Sequence, residues 1–212
     1  MASTSIKIKT MATSLILILA TELLGWWILK LTNGPPLAVL GLVRIIQIIA
    51  LAWVVIKWEE GLAAIGWATD CWISGLTKGA VWSLAFGTAA AFAMVVVYLL
   101  GKNPLLMVKS SLPPAMWELA LHFVVGGFIA PVAEELCFRG IVYTFFRRWG
   151  IMTAMVASTA IFVMLHTTHG LPIIQIVGGI VFATAYETSR NLMVPMTIHC
   201  LGNLAIFTLS LL

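Results

Sequence analysis

The sequence predicts an all-α membrane protein: a polytopic bundle of about seven transmembrane helices with one amphipathic helix at the membrane interface. Of its 212 residues 61% are hydrophobic and only 9% are charged, whereas soluble domains carry about 25% charged residues. The mean hydropathy is +1.06. The apolar runs are long and continuous rather than alternating. They therefore favour helices over a closed β-barrel, the other fold that satisfies the backbone in lipid.

Helix-breaking residues divide the apolar runs. Asn33-Gly34-Pro35-Pro36 interrupts the first two spans, and Pro113-Pro114 precedes a long fourth helix. The predicted spans are residues 11–31, 36–57, 79–100, 115–148, 151–165, 171–186 and 192–212.

Two segments depart from simple vertical spans. Residues 59–77 mix acidic groups with tryptophans, which is typical of an interfacial amphipathic helix. Residues 115–148 are too many for one vertical crossing at about 1.5 Å per residue. Gly126, Gly127 and Pro131 predict a kink in that helix, just before a pair of carboxylates.

Charge placement predicts the orientation of the chain. The net charge of +4 is small and, in a membrane protein, indicates topology rather than nucleic-acid binding. With seven spans and a cytoplasmic N-terminus, seven cations face the cytoplasm and three face outside, while Arg44 and Arg139 lie within spans. The seven are Lys7, Lys9, Lys57, Lys78, Arg147, Arg148 and Arg190, and the three are Lys30, Lys102 and Lys109. The three cysteines form no CxxC pair, so they predict no disulfide framework or zinc ribbon.

The fourth helix carries charged residues where an uncharged span is expected. Glu135 and Arg139 are four residues apart and share a helix face, so they can form an ion pair. Glu134 lies about 100° around the helix from Glu135 and has no such partner on its own helix. Glu134 is therefore the better candidate for proton transfer and Glu135 for architecture, unless all three residues only clamp helices together.

The fifth and seventh helices carry further polar residues at four-residue spacing. Phe162 and His166 share one face, and His199 and Asn203 share another. Each signal alone fits an ordinary interhelical hydrogen bond. Together they supply a carboxylate base, imidazoles and an amide donor, which are the groups that attack of water on an amide requires.

These motifs resemble the CPBP family, the CAAX proteases and bacteriocin-processing enzymes also called Abi. Glu134-Glu135-x-x-x-Arg139, Phe162-x-x-x-His166 and His199-x-x-x-Asn203 match its three motifs in order and spacing. The resemblance covers roughly residues 117–204. It divides the single membrane domain into N-terminal helices, residues 1–112, and a catalytic core, residues 113–212.

The resemblance implies a glutamate-dependent intramembrane endopeptidase. In that reading Glu134 and His166 activate water, and His199 with Asn203 stabilises the oxyanion. Glu135, Arg139 and Phe162 support the site, and no metal or cofactor is expected. The substrate would be a membrane-associated protein or peptide, such as a prenylated CaaX protein, a leader or a C-terminal sorting tail. We expect a bacterial member in the inner membrane.

Two alternatives remain open at this point. A zinc metallopeptidase could use His166, His169 or His199 with Glu134, although the sequence has no HExxH motif. A non-catalytic membrane scaffold or transport component could keep the polar cluster for binding. Other intramembrane polar residues, Glu22, Gln47 and His122, have no matching partner in the sequence and are interpreted as packing or interfacial residues.

Overall fold

The chain folds into a bundle of helices. The structure is a computed structural model that describes residues 5–32, 34–166 and 172–212. Within these ranges every regular element is helical, which confirms the all-α prediction. In the described part of the chain four helices are long and apolar enough to cross a membrane, so the chain is an integral membrane protein.

Seven principal helices are found in the described residues. They are α1 Ile8–Thr32, α2 Pro36–Trp58, α3 Trp72–Leu99, α4 Met116–Trp149, α5 Ile151–Met164, α6 Ile173–Ser189 and α7 Met193–Leu209. The last three have 14, 17 and 17 residues, fewer than the about 20 that a vertical span needs. That α5, α6 and α7 each cross the membrane therefore stays a prediction.

The predicted amphipathic helix over residues 59–77 is wrong as a continuous element. Two short 3₁₀ turns, Leu62–Ile65 and Thr69–Cys71, replace its first part, and its last residues belong to α3. Gly61 and Gly66 have φ values of 76° and 70°, a left-handed conformation that interrupts a helix and that glycine adopts easily. A side chain at Gly66 would also collide with the backbone carbonyl of Arg190.

Helix α4 is a single long element with two widened, π-helical stretches. These stretches are Val125–Ile129 and Leu136–Tyr143, and the short α-helical segment Ala130–Glu135 lies between them. Pro131 has no N–H to donate to the carbonyl four residues earlier, which accounts for the first distortion at the predicted position. In the second stretch the Thr144 hydroxyl donates to the Arg139 carbonyl at 3.1 Å.

Helix α4 lies at the centre of the packing. It contacts α2 on one side and α5, α6 and α7 on the others, while α1 pairs with α2. Helix α3 packs along α7, and Gly75 and Gly79 allow the close approach. A Cβ at Gly75 would lie 2.5 Å from the Met193 Cβ, and one at Gly79 would lie 2.5 Å from the Thr197 Cβ. The most apolar window of α3 has no buried residue, so much of this helix lies on the outside of the bundle.

Charged residues gather at one end of the bundle. The Lys7 ammonium donates to the Trp58 carbonyl at 2.6 Å, which joins the start of α1 to the end of α2. The Arg148 guanidinium donates to the Ile6 carbonyl, which joins the end of α4 to the same place. Most of the cations assigned above to one membrane side therefore share this end. Lys78 differs from its predicted position, because it lies six residues inside α3 rather than before the start of that helix.

Candidate active site

The buried ion pair predicted on α4 forms. An Arg139 Nη donates to Glu135 Oε1 at 3.0 Å, and both side chains are completely buried. The second Arg139 Nη donates to the backbone carbonyl of Gly179 on α6 at 3.0 Å. A charge removed from water needs such partners, because its desolvation would otherwise cost several kcal/mol. The pair therefore also attaches α6 to α4.

Aromatic rings enclose the Arg139 guanidinium. Its central carbon lies 5.0 Å from the ring centroid of Phe162, 5.2 Å from that of Phe182 and 5.9 Å from that of Phe138. At these distances the electron-rich ring faces attract the cation. Phe162, predicted as a support residue, thus contacts the arginine from α5, while Phe182 contacts it from α6.

Glu135 also orients His199. Its Oε1 lies 2.8 Å from His199 Nδ1, and the His199 side chain is 7% exposed. A carboxylate can only accept here, so Nδ1 carries the hydrogen and donates it. The other ring nitrogen, Nε2, then faces away from Glu135. The His199 ring is stacked on Phe182, with centroids 4.6 Å apart and an interplanar angle of 22°.

His166 is held in the same manner at the end of α5. Its Nδ1 lies 2.7 Å from the backbone carbonyl oxygen of Phe162, one helical turn earlier. Because a carbonyl oxygen only accepts, Nδ1 donates and Nε2 is the nitrogen left for other contacts. The Phe162 ring packs against the imidazole at 4.3 Å between centroids.

Both free imidazole nitrogens face Glu134. His166 Nε2 and His199 Nε2 each lie 3.8 Å from Glu134 Oε2. The Glu134 side chain is 19% exposed, whereas that of Glu135 is fully buried. The two neighbouring carboxylates therefore differ as the helical-face argument predicts: Glu135 has Arg139 and His199 as partners, and Glu134 remains accessible.

Asn203 lies one helical turn beyond His199 and binds the backbone of α4. Its Nδ2 donates to the Gly126 carbonyl at 2.8 Å, within the first π-helical stretch. This bond uses one of the two hydrogens of the Asn203 amide group, and the second hydrogen is not part of the bond. The structure thus brings Glu134, His166 and His199 together directly, and connects Asn203 to the same helix that carries Glu134.

The described residues contain no group of three His, Cys, Asp or Glu side chains arranged to hold a metal ion. Of the histidines that the zinc alternative would use, His169 lies outside the described residues.

Several contributors to the site were not predicted from the sequence. Gly179 and Phe182 lie on α6, which carries no motif residue, although they are three residues apart and so share a face.

A second polar cluster joins α1 to α2: Arg44 donates to Glu22 and to Gln47, and Gln47 donates to Thr21 at 2.9 Å. Glu22 and Gln47 thus have partners that come from a different helix.

Comparison with known proteins finds a family match within the C-terminal half of the chain. Residues 116–205 match the family model described as type II CAAX prenyl endopeptidase Rce1-like. A search of curated proteins and of solved structures found no match to the chain. The matched segment runs from the start of α4 into α7 and contains every motif residue named above. The match confirms the resemblance to CAAX proteases and supports a CAAX-type endopeptidase activity.

Proposed function

We propose that this chain, which matches the Rce1-like endopeptidases over residues 116–205, is a glutamate-dependent intramembrane endopeptidase. One observation carries the proposal: Glu134 Oε2 lies 3.8 Å from both His166 Nε2 and His199 Nε2. One carboxylate and two imidazoles meet at one accessible point inside a membrane protein. The His199 ring is oriented by Glu135, and the His166 ring by the Phe162 carbonyl. Such a group can bind and polarise a water molecule.

Glu134 and His166 are proposed to activate the water. When His166 is neutral, its Nε2 and the Glu134 carboxylate are both acceptors. A water that donates one hydrogen to each of two acceptors holds them about 4.4 Å apart, close to the separation found here. Glu134 then takes a proton, and the water oxygen attacks the carbonyl carbon of the scissile peptide bond. The proton passes to the leaving amine when the tetrahedral intermediate collapses.

His199 and Asn203 are proposed to stabilise the oxyanion. Since His199 Nδ1 already donates to Glu135, the ring can donate from Nε2 only as an imidazolium. Glu135 and Glu134 are the two carboxylates next to the ring, 2.8 Å from Nδ1 and 3.8 Å from Nε2 respectively. Asn203 has one amide hydrogen beyond the bond to Gly126, and it can supply the second donor.

Glu135, Arg139 and Phe162 are proposed to position these groups rather than to react. Glu135 orients His199, Arg139 neutralises the buried Glu135, and the Phe162 carbonyl orients His166.

The proposed substrate is a membrane-associated protein or peptide cleaved near its terminus. The family description names CAAX prenyl endopeptidases, and Glu134 lies on one of the four described helices that are long and apolar enough to cross a membrane. A prenylated C-terminal segment is therefore the first candidate, with leaders and sorting tails as further ones. The proposed setting is a bacterial inner membrane with the N-terminus in the cytoplasm.

The experiment compares the purified wild type with Glu134→Gln on a farnesylated CaaX peptide. In parallel, the termini of membrane proteins are mapped by proteomics in cells that express either form. We expect Glu134→Gln to lower kcat about 10²–10⁴-fold, because general-base catalysis contributes that much. Glu118→Gln, in the first turn of the same helix, is the matched control and should cleave like the wild type.

Equal cleavage by the wild type and Glu134→Gln would refute the role of Glu134. Assay in chelator, together with metal analysis, separates the zinc alternative: stoichiometric zinc whose removal abolishes cleavage would replace the present mechanism. Binding of the peptide without cleavage, and no terminus that depends on Glu134, would favour a scaffold.

A further inference from the structure

Helix α6 supplies two contacts to the site although it carries no motif residue. The carbonyl of Gly179 accepts from Arg139, and the ring of Phe182, one turn later, covers the His199 imidazole. Phe182 is only 7% exposed, so these contacts are made in the protein interior.

The single hydrogen bond to Glu135 does not by itself fix the plane of the His199 ring. The bond from Nδ1 to Glu135 fixes one point of the imidazole, and rotation around that point would carry Nε2 away from Glu134. The Phe182 ring lies nearly parallel to the imidazole, at 22° and 4.6 Å between centroids, and therefore opposes that rotation. Phe162 meets the imidazole only edge-on, at 6.0 Å, and offers no parallel face.

The same ring also contacts the cation behind Glu135. Arg139 lies 5.2 Å from the Phe182 centroid, so Phe182 touches both His199 and the partner of its carboxylate. Such an aromatic face attracts the neighbouring guanidinium.

The approach of α6 is set by Gly179. A Cβ there would lie 2.6 Å from Thr159 Cγ2 on α5, closer than atoms can pack. Only a residue without a side chain lets α6 come this near to α5, and Phe182 lies one turn later on the same helix.

From this geometry we propose that Phe182 is a positioning residue, which holds the His199 imidazole with Nε2 toward Glu134. This inference rests on the proposed function for its catalytic meaning, but the positioning itself can be measured without substrate. The site would then comprise three motifs and one aromatic face contributed by α6.

The first experiment measures deuterium exchange at the C2 carbon of each histidine by mass spectrometry, on the full chain in detergent. We compare the wild type with Phe182→Leu, which keeps a buried apolar side chain but removes the aromatic face. Exchange at His199 should rise about two- to tenfold, the factor that loss of one aromatic pair contact corresponds to. Exchange at His122 and His166 should not change.

Phe145→Leu is the matched control, because Phe145 is buried to the same degree, at 8% exposed, and packs against Phe146 and Trp149 instead. It should leave exchange at His199 as in the wild type. Phe182→Tyr keeps the ring and should restore slow exchange. Unchanged exchange at His199 in Phe182→Leu would overturn the proposal, as would an equal rise in Phe145→Leu.

The second experiment uses the farnesylated CaaX peptide. Phe182→Leu should lower kcat about 10- to 100-fold, the size of effect expected from a misplaced catalytic group, and change KM less than about twofold. Phe182→Tyr should recover most of the rate. An equal fall in kcat in Phe182→Leu and Phe145→Leu would indicate a general packing defect and contradict the proposal. Failure of the wild type to cleave would count against the proposed function and leave the exchange result standing.

Discussion

At the scale of single residues, the two adjacent glutamates differ because of their partners. Glu135 has Arg139 and His199 within hydrogen-bonding distance and is completely buried, whereas Glu134, among the described residues, faces the two imidazole nitrogens at 3.8 Å. Helical spacing alone predicts which glutamate pairs with Arg139. It could not predict that Glu135 also binds His199, since that contact joins residues 64 positions apart.

The buried Glu135–Arg139 pair provides a prediction on stability and activity. Arg139→Met alone should lower the free energy of unfolding by about 3–5 kcal/mol, because it leaves a buried carboxylate without its cation. Glu135→Leu combined with Arg139→Met should regain much of that loss, since no uncompensated charge remains. Activity should stay low in the double variant, because His199 has lost its acceptor.

Thermal unfolding in detergent and peptide cleavage measure the two effects separately. If the double variant is as unstable as Arg139→Met, the stability effect does not come from the unpaired charge. If the double variant recovers activity, Glu135 does not orient His199.

At the scale of helices, the site depends on close approaches that glycine permits. The four-residue motifs identify α4, α5 and α7, but the contribution of α6 arises from the contact between Gly179 and Thr159. That contact depends on how α5 and α6 pack, and a residue pattern within one helix does not contain it. The π-helical stretches of α4 could be predicted only in part from the sequence, because Pro131 predicts a distortion of the helix but not its form.

The Gly179 contact predicts a loss of activity that a second substitution can reverse. Gly179→Ala should push α6 away from α5 and lower both stability and cleavage, since overpacking costs about 1–3 kcal/mol. Thr159→Ser removes the methyl group that the new Cβ meets, so Gly179→Ala combined with Thr159→Ser should recover most of the loss.

Gly87→Ala is the control, because nothing lies within 4 Å of a Cβ at that position of α3. It should leave cleavage unchanged and slightly stabilise the helix, as alanine does relative to glycine. Equal loss in Gly179→Ala and Gly87→Ala, or no recovery on adding Thr159→Ser, would show that the close contact is not the cause.

At the scale of the whole molecule, long-range contacts bring the cations to one end. Glu187 accepts from Arg147 and Arg190, which joins the end of α4 to the turn between α6 and α7. With Lys7 and Arg148 at the same end, the structure offers one basic face and an opposite end near Lys102. A basic face of this kind is typical of the cytoplasmic side.

The orientation is predicted from this asymmetry and is tested by cysteine labelling. In a background whose three cysteines are replaced, single cysteines are introduced as Lys9→Cys and Lys102→Cys. A membrane-impermeant maleimide added to intact cells should label the position in Lys102→Cys, and that in Lys9→Cys only after permeabilisation. The reverse pattern would invert the orientation, and labelling of both from one side would contradict three crossings by α1, α2 and α3.

The sequence by itself determined the membrane class, the helical fold and the positions of the motif residues. These follow from local properties, namely continuous apolar runs and four-residue spacing on a helix face. The interfacial segment was mispredicted, because composition could not show that Gly61 and Gly66 adopt left-handed conformations. Only the tertiary structure decided that Glu135 binds His199, that Phe182 covers the imidazole and that Arg44 pairs with Glu22. Each of these contacts joins different helices, and it therefore depends on packing that no single stretch of sequence specifies.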